Sequence, residues 1–388
     1  MTTAEPLSAA EAAASVASGV RITDLTVTVF EWDNIPPIQY GDRNPVTKPR
    51  SELGLVTLHT DAGIEGHAFL GSSIRGARLD VVALMRNLKP VVVGRDPFDR
   101  ERLWESLHKL QRAATMRTIG AVDVALWDLA GKLAGLPISR LLGRYRDSIA
   151  AYASSITMRD PAQYGDEAVR IAEAGFAGYK LHPPRDLAGA IAACRAARRA
   201  VGDDYVLMVD TSGGLDYSEA LRLGRELEDM GYLWFEDPLP EDDIINSAQL
   251  RQKLSIPIMA TEYSPGGFHA FAPWITNGAT DYLRGDVAVK GGLTGIMKAS
   301  VLADAFRMRF EIHHGGNSLN NIAQLHAAMS MRNTTYFEIL LPDAAQKYGV
   351  IDDLVVGPNG QVNAIDGPGL GVEVDMALIR RGTLEVLR

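Results

Sequence analysis

From Arg21 the chain alternates apolar and polar positions in the run RITDLTVTVFEW, the period of a half-buried β-strand. Two more such runs cover residues 52–61 and 63–70, and Asp61-Ala62-Gly63 between them is a hairpin turn signal. The intervening stretch 35–50, IPPIQYGDRNPVTKPR, is rich in Pro and polar residues and predicts a long loop, a common form for a lid. From about residue 79 to 133 apolar positions recur at spacings of three and four, which predicts helices. Residues 21–147 therefore read as an α+β domain.

From Ile149 the rhythm changes to short apolar runs separated by amphipathic stretches. The strand candidates are IAAYASS (149–155), AGYKLH (177–182), YVLMVD (205–210), YLWFED (232–237), IPIMATE (256–262), DYLRGDV (281–287), FEIHH (310–314) and YFEIL (336–340). Strands alternating with helices predict a parallel sheet, and eight βα units predict a closed (β/α)8 barrel, here with its last helix altered. The expected organisation is a tail over 1–20, a capping α+β domain over 21–147 completed by 370–388 folding back onto it, and a barrel over 148–369.

Composition narrows the class. The 388 residues are nearly half apolar, enough for a large core. A net charge of −9 argues against nucleic acid as a partner, because phosphate binding needs a basic face. Cys194 is the single cysteine, so no disulfide forms within the chain, and a reducing cytoplasm is expected. No apolar run reaches transmembrane length, and the Ala-rich first 20 residues lack the basic start and Leu-rich stretch of a signal peptide. No membrane association is expected.

The chemistry lies at the strand ends, where a (β/α)8 barrel builds its active site. Lys180 with His182, then Asp210, Glu236, Glu262, Asp286, His314 and Glu338 end successive strands at steps of 24 to 30 residues, the length of one βα unit. Singly, each reads as a helix cap or rim residue. In register they converge on one mouth. Asp210, Glu236 and Glu262 follow strongly apolar runs, where unpaired carboxylates repel one another and lose hydration. A divalent cation resolves that conflict. Three carboxylates without Cys suit Mg²⁺, with Mn²⁺ as a possible substitute, whereas Zn²⁺ favours N or S ligands. Lys180 and His182, two apart, face the same way. His314 stands across the barrel with Asp286 as its expected companion, a carboxylate that fixes the imidazole tautomer. A cation flanked by two proton-transfer groups is what removal of a proton next to a carboxylate demands.

The segments AVDVALWDLAGKLAGLPISRLLG (121–143), GYKLH, MVD, WFEDP, ATE, RGDVAVKGGLTG and IHHGG together resemble the mandelate-racemase-like branch of the enolase superfamily, from about Arg21 to the C-terminus. The resemblance implies that Asp210, Glu236 and Glu262 are metal ligands and that Lys180 is the first lysine of a Lys-x-Lys motif. It implies that Asp286 and His314 form the Asp–His dyad. It makes Glu338 the acid that bonds the substrate carboxylate, which requires a protonated Glu338 with a raised pKa. His182 departs from the pattern by replacing the second lysine, and serves either as a base or as a substrate contact. Trp32, Tyr40 and His67 fall in capping loops expected to contact substrate, and homo-oligomers are usual in the family.

Among the remaining polar residues, Asp237 reads as support for the metal ligands, and Ser212 as a substrate contact or a turn residue. Asn317 reads as an N-cap or a substrate contact, and Lys290 as a supporting or solvated residue. His313, alternating away from His314, reads as packing. The expected substrate is a small carboxylate. The hydrogen-bonding side chains favour dehydration of a sugar acid to a 2-keto-3-deoxy acid. Racemisation or epimerisation, and cycloisomerisation of a lactone or anhydro sugar acid, are the alternatives. A non-catalytic metal or sugar-acid binder predicts a missing ligand or base, and none is missing.

Overall fold

The computed structural model describes residues 19–41 and 44–388. The tail expected over 1–20 lies outside the described residues except for Gly19 and Val20. Strands β1 (Ile22–Trp32), β2 (Ser51–Thr60) and β3 (Glu65–Leu70) form an antiparallel meander. The alternation in the first run decides which face turns inward: Leu25, Val27 and Val29 are wholly buried. A fourth strand comes from the far end of the chain, Thr383–Leu387, which pairs antiparallel with β1 through Val27 opposite Leu387.

The helix Met116–Ala134 lies between this sheet and the second unit. Thr115 begins it, its hydroxyl accepting from the Thr118 N–H at 3.4 Å, and Gly135 ends it at φ 66°. Its interior is Ala, Leu and Val, and almost every residue from Thr118 to Leu133 is buried because both sides are covered. Gly120 allows backbone-to-backbone packing, since a Cβ there would meet the Val287 carbonyl oxygen at 2.2 Å. Asp123 accepts from the Thr294 N–H at 2.9 Å and its hydroxyl at 2.7 Å, and the Trp127 indole donates to the same hydroxyl at 2.9 Å. The helix thereby fixes the segment that follows Asp286.

All eight strand candidates form the second unit, as β4 (Ser148–Ser154), β5 (Gly178–Leu181), β6 (Val206–Asp210), β7 (Phe235–Glu236), β8 (Ile258–Ala260), β9 (Tyr282–Gly285), β10 (Arg309–Ile312) and β11 (Tyr336–Leu340). They run parallel in chain order, and β11 pairs back onto β4. Amphipathic helices cover the outside. Tyr217–Asp229 opens with a capping box between Asp216 and Glu219. Among the described residues no ladder joins β10 to β11. There the Glu311 carboxylate accepts from the backbone N–H of Thr335 at 3.0 Å and of Tyr336 at 3.3 Å, closing the seam with a side chain. The floor is filled by Tyr152, Met208, Trp234 and Met259. After β11 the chain makes a short turn at Asp343–Ala345 and later the helix Met376–Gly382, so the eighth helix is indeed altered. Among the described residues no helix is long and apolar enough to cross a membrane.

Candidate active site

The strand ends bring six buried carboxylates together, Asp210, Glu236, Asp237, Glu262, Asp286 and Glu338, among three buried cations, Lys180, Arg284 and Lys290. Lys180 Nζ lies 2.9 Å from Glu236, 2.8 Å from Glu338 and 3.4 Å from Asp210. The Arg284 guanidinium reaches Glu338 at 2.5 Å and Glu262 at 3.2 Å, touches Glu236, and donates to the Ile312 carbonyl at 3.2 Å. Asp210, Glu236 and Glu262 each present an oxygen within 4.8 Å of the others. Burial pushes Glu236 up to about 8 against the pull of Arg284 and Lys180. Burial and the charges of Glu262, Asp210 and Glu236 raise Asp237 well above the usual carboxylate range. The cluster therefore carries more carboxylates than its own cations neutralise. Its donors are all hard oxygens, so these residues fit a divalent cation such as Mg²⁺.

Two imidazoles face the cluster. His182 leaves β5, and its Nδ1 donates to the Ser155 carbonyl at 2.7 Å, turning Nε2 toward Asp210 at 3.1 Å. His313, just past β10, has its Nδ1 2.5 Å from Asp286 and its Nε2 3.1 Å from Glu262. Although burial lowers it, Glu262 and Asp286 hold the His313 pKa above its ordinary value. This corrects the dyad. His314, expected to pair with Asp286, instead meets the Gly316 N–H at Nδ1 and the Asn321 amide at Nε2, and burial drops it to about 3. The strand ends at Ile312, so alternation no longer sets which histidine turns inward.

Glu338 also differs from expectation. Burial raises its pKa, but Arg284 and Lys180 outweigh it and hold the carboxyl well below the usual range, so this group is ionised rather than protonated. Arg284 is the reason, and the sequence reading passed over it. It stands two before Asp286 in DYLRGDV, so strand alternation placed it on the same inward face.

A cavity of about 360 Å³ opens over the cluster, lined by His182, Asp210, Glu262, Asp286, His313, His314 and Glu338 and also by Tyr40 and Ser212. Tyr40 packs edge-on against His182 at 5.8 Å, donates to the Leu341 carbonyl, and accepts from Gln346 at 2.6 Å. Ser212, at φ 51°, donates its N–H to Asp210 at 2.7 Å. Three expected contacts lie elsewhere. Trp32 is buried and stacked on Tyr348 at 5.3 Å because β1 continues through it. His67 is a strand residue whose ring sits beside Lys132 at 3.2 Å. Asn317 caps the helix Ser318–Ala328 and donates to the Gly71 carbonyl at 2.9 Å. Their places on the wall are taken by the loop after β3, Gly71 to Arg75, and by Asn44 and Tyr263. Lys290 is buried beneath, donating to the Ser264 carbonyl at 2.9 Å rather than meeting solvent.

A barrel with this acidic mouth under an antiparallel capping sheet defines the enolase-type class of enzymes. Residues 163–378 match the enolase C-terminal domain-like family, and residues 24–143 match the mandelate racemase / muconate lactonizing enzyme N-terminal domain. The chain belongs to this family, the mandelate racemase/muconate lactonizing enzyme-like members of the enolase superfamily. It is similar to D-galactarolactone cycloisomerase of Agrobacterium fabrum, 30% identical over 83% of this chain and 88% of the relative. It is also similar to arabinonate dehydratase of Saccharolobus solfataricus, 28% identical over 80% and 86%. The crystal structure of D-glucarate dehydratase from Agrobacterium tumefaciens, complexed with magnesium, superposes with a TM-score of 0.85 at 33% identity, covering 94% of this chain and 99% of that one. The protein is an enzyme of the lyase or isomerase kind found in this superfamily.

Proposed function

We propose that this enzyme removes the proton next to the carboxylate of a sugar acid and expels the neighbouring hydroxyl, giving a 2-keto-3-deoxy acid. The observation that carries the reading is the pair of imidazoles, His182 and His313, each with Nδ1 engaged and Nε2 aimed at the carboxylate cluster. Asp210, Glu236 and Glu262 would hold Mg²⁺, as enzymes of this superfamily generally do. When bound, that ion neutralises the substrate carboxylate and the charge that builds there as the proton leaves. His313 is the base. Asp286 accepts from Nδ1, which leaves Nε2 as the atom that would take the proton once the Glu262 carboxylate beside it is engaged by the cation, and the Asp286 charge stabilises the imidazolium that forms. His182, anchored on the Ser155 carbonyl, stands on the other imidazole-bearing side and protonates the departing hydroxyl. Lys180 adds a fixed positive charge beside Glu338 and Glu236.

The names of the relatives, two dehydratases and a cycloisomerase of sugar acids or their lactones, support the substrate class. Two bases also suit epimerisation, the second reading. Incubating the enzyme with a sugar-acid panel in D₂O and Mg²⁺, followed by ¹H NMR, separates them. New deoxy-methylene signals that vanish with EDTA support dehydration. Exchange of the α-proton without a new skeleton means epimerisation. No exchange with any acid, lactone or anhydro acid refutes both.

A further inference from the structure

One wall of the cavity changes character from floor to mouth. Glu262 is buried at the floor. His313 lies 3.1 Å from it, the Tyr263 ring packs 6.2 Å from the His313 ring, and the Arg75 guanidinium sits 6.0 Å above the Tyr263 ring. Exposure rises along the same path, from buried Glu262 through half-buried His313 to exposed Tyr263 and Arg75. Arg75 belongs to the loop after β3, so it faces the barrel mouth from the capping side. The other arginine on the wall, Arg117, is already paired with Asp80 at 2.7 Å. Among the described residues no carboxylate pairs with the Arg75 guanidinium. A free guanidinium on a cavity wall is matched to a planar anion, which it binds through two parallel hydrogen bonds. The floor, crowded with its own carboxylates, offers a second substrate anion nothing.

We propose that Arg75 receives a second carboxylate at the far end of the substrate, so that the enzyme acts on dicarboxylic sugar acids in preference to the monocarboxylic acids of the same configuration. The inference rests on the sugar-acid reading above and narrows it. Arabinonate is a monoacid and glucarate a diacid, so the relatives alone leave the far end of the substrate open.

The test compares aldarates with aldonates of matched configuration, and with terminally phosphorylated aldonates, using the full chain with Mg²⁺. Both kcat/KM and α-proton exchange in D₂O are read. The expected result is an aldarate preference of about 10–100-fold, the size of one charge-assisted hydrogen-bonded contact. Arg75→Gln should collapse that ratio to near unity, mainly through KM for the aldarate, and Arg75→Lys should retain an intermediate ratio. Thermal unfolding of each variant checks that the exposed loop change leaves the fold intact. An aldonate or phosphorylated aldonate used as well as the aldarate overturns the proposal and leaves the sugar-acid reading standing. An unchanged ratio in Arg75→Gln does the same. If no acid of any kind exchanges or turns over, the sugar-acid reading fails and takes this proposal with it.

Discussion

Arg284 offers the sharpest test of how the active site is held together. Its side chain is wholly buried, and it touches Glu236, Glu262 and Glu338 at once. Arg284→Gln keeps a polar side chain of lesser length but deletes the charge. Removing one partner of a buried ion pair costs about 3–5 kcal/mol, because the other charge is left uncompensated. Here three carboxylates lose a partner, while Lys180 retains its contacts to two of them. The expected destabilisation in EDTA is therefore about 3–5 kcal/mol, read as a shift in the denaturation midpoint at unchanged slope. Mg²⁺ should restore more stability to the variant than to the parent, since Glu236 and Glu262 no longer share their oxygens with a guanidinium. Arg284→Lys should fall between, keeping the charge without the fork. A loss under about 1 kcal/mol for Arg284→Gln, or a Mg²⁺ gain no larger than in the parent, would refute this account.

Four further outcomes follow from the same geometry. His313→Asn should lower turnover by about 10²–10⁴-fold with the fold intact, whereas His314→Asn should mainly lower stability; equal kinetic losses would restore His314 as the base. Glu262→Gln should weaken Mg²⁺ binding measured by calorimetry, and unchanged affinity would remove it from the ligand set. His326 accepts from the Ser139 N–H at 3.2 Å and donates to the Leu370 carbonyl at 3.1 Å, and burial lowers its pKa from 6.5 to about 4. Its contribution is complete above pH 6.5 and is lost as pH falls toward 4, so the stability of His326→Gln should vary less with pH over that window, by about 3 kcal/mol. Asp123, raised by burial from 3.8 to about 7, runs the other way. Its contribution is complete below pH 3.8 and lost as pH rises through 7, so Asp123→Asn should raise the melting temperature at pH 8 and leave it nearly unchanged at pH 4.

Much of this molecule is legible in the chain because its signals are periodic. Eight apolar runs at one βα spacing define the barrel, and a carboxylate ending three of them brings Asp210, Glu236 and Glu262 together. Legibility stops where the period stops. His313 and His314 lie beyond the last strand residue, Ile312, and the turn of the backbone decides between them. Trp32 and His67 already fall inside the alternating runs 21–32 and 63–70, so their period pointed to strand positions rather than to loops over the mouth. Arg284 was within reach, since strand parity alone aims it inward, but a lone arginine in an apolar strand invites the reading of an edge residue. The loop carrying Arg75 has no pattern at all, and only the folded chain shows which wall it joins.

The strand Thr383–Leu387 completes the capping sheet against β1, although the rest of the capping domain and the whole barrel lie between Trp32 and Thr383 in the chain. Those five residues leave the ribosome after every strand of the barrel. Until then the side of β1 away from β2 is an open edge, its outward N–H and C=O groups available to another chain. The sheet that positions Tyr40 and Arg75 is finished only after every catalytic strand has emerged. Assembly is thereby ordered in time: the barrel can form and dock before the roof is sealed, and a chain cut a few residues short retains its chemical groups beneath an unfinished cover.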